Sequence, residues 1–108
     1  MNWISTTIKR KWLDKILSGE KKSELKVCNE YWCKRIEPLI KIQTSSSWSS
    51  LPIGINFLCG NPNHPTKPGI CAKYQVEKIT IWHSTTPEDI DGVMTKEWYE
   101  IHLGGRIQ

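Results

Sequence analysis

The chain has 108 residues, 38% of them hydrophobic and 24% charged, with a formal net charge of +4. This length suits one domain with its own core and is too short for two, so a single domain over residues 1 to 108 is predicted. No apolar run approaches the roughly 18 residues that a membrane-spanning helix needs, so no membrane partner is expected.

The positive charge is concentrated in the first part of the chain. Residues 1 to 41 contain ten basic and five acidic side chains, which leaves the remainder close to neutral. A basic segment suits a phosphate-bearing partner, because lysines and arginines near phosphates release counterions. A merely solubilising surface has the same composition, so charge alone leaves both interpretations open.

The opening Met-Asn-Trp-Ile-Ser lacks the basic region and apolar block of a secretory signal. A cytoplasmic location is therefore expected, and with it four cysteines that are mostly free thiols.

The chain opens with a predicted strand and a predicted helix. Residues 2 to 8 alternate and are rich in β-branched side chains, which is typical of a half-buried strand. Residues 10 to 18 change to a helical period, and Gly19 follows where a helix commonly ends in a left-handed conformation. One face of this helix carries the apolar side chains Trp12, Leu13, Ile16 and Leu17.

The period returns to two between Lys22 and Cys28, which predicts a second strand. Leu25 and Val27 then lie on one side of it. Glu24 and Lys26 lie on the other side, so these two charged groups face the same way.

Asn29 is suited to cap a short second helix, which Pro38 should end or kink. Trp32 begins the apolar stripe of this helix, which continues through Ile36 and Ile40. The serine-rich tract from 44 to 50 is predicted to be a loop.

The remainder of the chain predicts three strands and one helical turn. In chain order these are a buried strand over Ile53 to Cys59, a hairpin connection over Gly60 to Gly69, a long strand over Ile70 to Trp82 with a bulge between Val76 and Ile79, a turn of helix over Pro87 to Asp91, and a last strand over Trp98 to Leu103. About five strands with short helices predict an α+β fold, a small twisted β-barrel with capping helices.

The segment Leu-Ser-Gly-Glu-Lys-Lys-Ser-Glu-Leu-Lys at 17 to 26 resembles the ASCH family, in which a short helix precedes Gly-x-Lys-x-x-Glu-x-Arg. Gly19, Lys21 and Glu24 match this pattern, and Lys26 replaces its arginine. The resemblance extends loosely to the closing Trp-Tyr-Glu-Ile-His-Leu-Gly. It implies a PUA-like barrel and a ligand that is RNA, a nucleotide or a nucleoside. Separately, no cofactor and no metal site are predicted.

Lys21 and Glu24 are the candidate catalytic residues, and with Lys26 they are candidate ligand contacts. A lysine after a glycine turn can be partly desolvated and act as a base or nucleophile. A carboxylate beside lysines can hold them, accept from a nucleobase edge or act as a general base. A solvated ion pair is the structural alternative.

The ASCH resemblance also implies an enzymatic alternative. Some ASCH-like proteins release acetate from N(4)-acetylcytidine with the motif lysine, a threonine three residues later and a distant glutamate, and others are ribonucleases. Here Glu24 occupies the threonine position, and Ser23 should point to the opposite face. Docking to an acidic host protein is a third functional hypothesis.

Further ligand contacts are predicted where aromatic and basic residues alternate, at Tyr31, Lys34 and Arg35, and at Trp48 in the serine loop. The other four tryptophans, at positions 3, 12, 82 and 98, are predicted to be core residues. Zinc binding is a weaker alternative, because its candidate ligands lack the tight spacing of a zinc knuckle. Those candidates are Cys28, Cys33, Cys59, His64 and Cys71, whereas His83 and His102 are predicted to be structural.

Overall fold

The computed structural model describes residues 1 to 45, 52 to 60, 66 and 69 to 108. Within them it shows a five-stranded mixed sheet and two helices, which confirms the α+β class. The elements are β1 (Asn2–Thr7), α1 (Arg10–Leu17), β2 (Ser23–Val27), α2 (Glu30–Ser45), β3 (Ile53–Cys59), β4 (Ile70–Ile90) and β5 (Val93–Arg106).

The sheet has the strand order β1-β3-β4-β5-β2. Strand β1 is parallel to β3, and the other neighbours are antiparallel. Strands β1 and β2 are therefore the two edges. Neither helix described is long and apolar enough to cross a membrane.

One contiguous core lies between the sheet and the helices. Helix α1 contributes Leu13 and Ile16, and α2 contributes Ile36 and Leu39. The sheet contributes alternate residues, because neighbouring side chains on a strand point to opposite faces. Its buried apolar members are Ile4, Ile53, Ile55, Phe57, Ala72, Tyr74, Val76, Ile79, Tyr99 and Ile101.

Strand β2 buries its charged side chains. Glu24 pairs with Ile101 of β5 and Lys26 pairs with Tyr99, and residues that are directly opposite share a face of the sheet. Both partners belong to the core, so Glu24 and Lys26 point to the helix-bearing side. The prediction that they face the same way is confirmed.

The sequence predicted that Pro38 would end or kink the second helix, and the helix does not end there but continues to Ser45. Beyond the proline, the buried Leu39 and the partly buried Ile42 keep the helix against the core. Gln43 then joins it to β4, since its amide donates to the Ile79 carbonyl and accepts from the Ile79 N–H at 3.0 and 2.6 Å. The predicted cap is confirmed, because the Trp32 N–H donates to Asn29 Oδ1 at 2.9 Å.

The predicted helical turn at Pro87 to Asp91 is wrong, because this segment forms the end of β4 and the tip of its hairpin with β5. Ile90 pairs with Val93, so the loop between them has two residues, Asp91 and Gly92. Their φ angles are +56° and +82°. Such a turn matches the right-handed twist of two paired strands, and Asp-Gly is one of its preferred sequences. The last strand is accordingly longer than predicted, whereas the predicted bulge coincides with a register shift between Val76 and Lys78.

Candidate functional site

A cleft of about 890 Å³ opens between the two edges of the sheet. It is lined by the junction of β1 and α1, by β2, and by the tip of the β4–β5 hairpin. Its charged and aromatic lining consists of Lys9, Lys11, Trp12, Lys21, Glu24, Lys26, Asp89 and Asp91. The structure therefore brings together the three motif residues that the sequence singled out.

Lys21 and Glu24 form an ion pair on one wall of the cleft. Gly19, with φ of +81°, ends α1 and turns the chain toward β2, and the Lys21 N–H donates to the Lys15 carbonyl at 2.9 Å. The Lys21 ammonium donates to Glu24 Oε1 at 3.0 Å. The same oxygen accepts the Leu25 N–H at 3.0 Å, which fixes the carboxylate. The pair offers a ligand both a cation and a carboxylate.

Lys26 is an incompletely paired cation in the same wall. Its side chain is 6% exposed, and its nearest carboxylate oxygen, Asp91 Oδ2, is 3.8 Å away, which is too far for a hydrogen bond. The ammonium lies 4.8 Å from the centre of the Trp32 ring. Among the described residues it forms no hydrogen bond. Because burying an ammonium costs free energy unless it is paired, an acceptor on a ligand would satisfy it.

Trp12 is the functional candidate that sequence reasoning missed. It was predicted to be a core residue, but it is 38% exposed and lines the cleft, and only Leu13 and Ile16 of its helix are buried. Three ammonium groups surround its ring, those of Lys11, Lys15 and Lys21, at 4.9, 5.4 and 5.5 Å from the ring centre. The basic residues flanking it in Lys-Trp-Leu-Asp-Lys were the available signal, because an aromatic side chain among cations is typical of nucleic-acid contacts.

The residues predicted on α2 do not line the cleft. Arg35 stacks on Tyr31, with 3.5 Å between its guanidinium carbon and the ring centre, and donates to the Tyr31 carbonyl at 3.0 Å. Lys34 is exposed and pairs with Glu30 at 3.1 Å. The link to the cleft runs through Trp32, whose ring is edge-on to Tyr31 at 4.9 Å and underlies Lys26. Trp48 lies outside the described residues.

The other tryptophans predicted to be core residues lie on the opposite face of the sheet or at its edge. Trp3 is exposed, as is Trp82, and Trp98 is only half-buried. Trp82 and Trp98 are directly opposite on β4 and β5. The β-branched and aromatic composition of these strands predicted strands correctly, but it did not distinguish their two faces.

Glu100 organises the face of the sheet that is away from the cleft. Its carboxylate accepts the Trp82 indole N–H at 2.9 Å. Burial by itself raises the pKa of this carboxyl, but hydrogen bonds from Ser23 and Trp82 outweigh it and leave the pKa below its usual value, assisted by the charges of His102 and Lys78. Ser23 thus lies on the face of β2 opposite Glu24, as the sequence predicted.

Two cysteines cluster with Tyr99 behind the cleft. The Tyr99 hydroxyl donates to Cys33 Sγ at 3.1 Å. Burial raises the pKa of the Cys28 thiol, so this group is a neutral thiol at neutral pH. No group of three or more potential metal ligands occurs among the described residues. His64, one of the zinc candidates, lies outside them.

Comparisons with protein-family models, curated proteins and solved structures find no match. The functional argument therefore depends on the geometry of the cleft and on the residues that line it. Those residues include an exposed tryptophan, four lysines, the carboxylates of Asp89 and Asp91, and the ion pair of the part-buried Lys21 with the buried Glu24.

Proposed function

We propose that the protein binds single-stranded RNA in the cleft as a small cytoplasmic ASCH-like domain. The observation that carries the proposal is the exposed Trp12 ring with three ammonium groups within 5.5 Å of its centre. A nucleobase can stack on the ring while its phosphate contacts the lysines. Each such contact exchanges condensed counterions for a protein cation.

The interior of the cleft complements this platform. Glu24 presents a carboxylate that can accept from an exocyclic amine of a base, and Lys26 presents donors that its distance of 3.8 Å from Asp91 leaves unused. A base edge carries donors and acceptors side by side, so it can satisfy both groups. Neither group is expected to replace the stacking and phosphate contacts as the main source of affinity.

The PUA-like assignment is part of the same proposal. It is supported by the five-stranded mixed sheet and by the position of the motif residues. Gly19 makes the turn that the motif requires, and Lys21, Glu24 and Lys26 line one cleft. A ligand cavity at this motif is what the ASCH resemblance implies.

The proposal is tested by measuring the anisotropy of a fluorescently labelled eight-nucleotide RNA during titration with the wild-type protein and with Trp12→Ala. Loss of one stacked base should raise Kd by roughly 5- to 150-fold, which corresponds to about 1 to 3 kcal/mol. Trp82→Ala is the matched control, because Trp82 is also exposed but lies on the other face of the sheet. Equal affinities for wild type and Trp12→Ala, with both folded, would refute the proposal.

Hydrolysis in the same cleft is the second candidate function. The 3.0 Å contact between Lys21 and Glu24 favours it, because a lysine and a carboxylate in contact can exchange protons with a bound substrate. Incubation with N(4)-acetylcytidine, followed by chromatography, tests one such reaction. Cytidine release that disappears in Lys21→Ala would support hydrolysis, and the absence of release would exclude that substrate.

A further inference from the structure

A second cavity, of about 560 Å³, adjoins the same turn that carries Lys21. It is lined by Lys21, Lys22, Tyr74, Glu77 and His102, with Gly19 at its edge. Lys21 is shared, since it lines the cleft as well. The two cavities therefore lie on either side of one lysine.

Tyr74 brings a hydroxyl group to this cavity. The residue is 7% exposed, and its ring packs edge-on against Phe57 with 6.1 Å between ring centres. Its hydroxyl forms no hydrogen bond with any other described residue and is not one of the buried polar atoms that lack a partner, so it is open to a partner in the cavity. A ligand in the cavity would supply that partner.

The charged groups that line this cavity suit a phosphate-linked base. Lys21 and Lys22 contribute two cations to the lining. His102 also lines the cavity, and its Nε2 lies 2.9 Å from the Thr80 hydroxyl and 3.5 Å from Glu100 Oε1. Glu77 can accept from an exocyclic amine. No atom lies within 4 Å of where a Cβ on Gly19 would be, so the turn between the two cavities has open space beside it.

We propose that the second cavity binds the neighbouring nucleotide of the strand whose first base stacks on Trp12. The inference depends on the proposed function and makes it more specific: the ligand is an oligonucleotide of two or more nucleotides, not a free nucleoside or mononucleotide. The phosphodiester that joins the two nucleotides lies against Lys21 and Lys22. Tyr74 and His102 contact the second nucleotide.

The test compares three ligands on the whole protein by isothermal titration: AMP, ADP and the dinucleotide pApA. ADP and pApA both contain two phosphates. A difference in their affinities therefore reports the effect of the second nucleoside and not of added charge. The expected result is that pApA binds at least tenfold more tightly than ADP, because a second base gains stacking and hydrogen bonds. Equal affinities for ADP and pApA would overturn the second subsite while leaving the first intact.

Tyr74→Phe removes only the hydroxyl and preserves the ring that packs on Phe57. It should weaken pApA binding by about fivefold, the magnitude of one hydrogen bond, and leave AMP binding unchanged. Equal weakening of AMP and pApA, with the fold intact, would overturn the inference. Failure of all three ligands and of longer RNA to bind would instead refute the proposed function itself.

Discussion

Neutralising Lys9 and Lys11, which line the cleft, should reduce the salt dependence of RNA binding. It should have little effect on the free energy of unfolding. Lys9 and Lys11 are exposed, line the cleft and form no ion pair with any described residue. The variant Lys9→Gln/Lys11→Gln therefore removes charge without breaking an ion pair among the described residues, and the contact it loses is that of the Lys11 ammonium with the Trp12 ring. It retains the Lys21–Glu24 contact at 3.0 Å.

The magnitude follows from the number of cations in the cleft wall that can reach phosphates. If Lys9, Lys11 and Lys21 each contact one phosphate of a single strand, log K should fall with log salt concentration with a slope of about −2. Raising the salt from about 50 to about 200 mM then weakens wild-type binding by about 20-fold. With one phosphate contact left, the slope should be about −0.7 and the loss about threefold.

The assay is fluorescence anisotropy with labelled RNA at a series of salt concentrations. The control is Lys34→Gln/Lys96→Gln, which removes the same charge from two exposed positions outside both cavities. It should retain the wild-type slope. Equal slopes for the wild type and for Lys9→Gln/Lys11→Gln, or equal reductions in both double variants, would refute the placement of phosphates in the cleft.

Three further predictions concern the balance between stability and function. In urea unfolding, Lys26→Met should have an unchanged or larger free energy of unfolding, because it removes a buried cation. The same variant should bind RNA about tenfold more weakly. A clear loss of stability would show that the role of Lys26 is structural. Because the pKa of Glu100 is lowered in the folded state, its stabilisation is present above the unfolded pKa and lost as the pH falls through the folded one. Glu100→Gln should therefore be less stable than wild type at neutral pH, with the gap closing in urea titrations below about pH 4; a gap that persists there would contradict this. Gly92→Ala should lower the free energy of unfolding by about 1 to 2 kcal/mol because of the left-handed φ at this position. Gly105→Ala should lower it much less, because this position has open space and no such φ. Equal losses for the two variants would show that the turn is unstrained.

Strand β2 illustrates how much of the site the sequence predicts. A period of two placed Glu24 and Lys26 on one face, and the structure confirms it. Which face is buried depends on the pairing with β5, where Tyr99 and Ile101 are opposite the charged residues. That pairing is a long-range contact, which local periodicity does not encode. The period of two is equally consistent with a strand that buries Leu25 and Val27 instead of Glu24 and Lys26.

The predictions of a buried Trp12 and of a helical turn at the hairpin tip are wrong for different reasons. An apolar stripe on α1 includes Trp12, but a helix of eight residues has room to bury only Leu13 and Ile16 fully against the sheet. The Asp91-Gly92 dipeptide is a strong hairpin signal that the sequence did contain. The predicted turn of helix over Pro87 to Asp91 does not take this signal into account.

The most direct test of the proposal that the cleft binds RNA is a two-dimensional ¹H–¹⁵N spectrum recorded during titration with a four-nucleotide RNA. Each of the six tryptophans contributes one indole N–H signal, so the two faces of the sheet are read separately. The account predicts that the indole signal of Trp12 and the backbone signals of Lys21 to Lys26 shift with a common Kd, while that of Trp82 stays in place. Shifts confined to Trp82 and Trp98, with Trp12 unchanged, would contradict it.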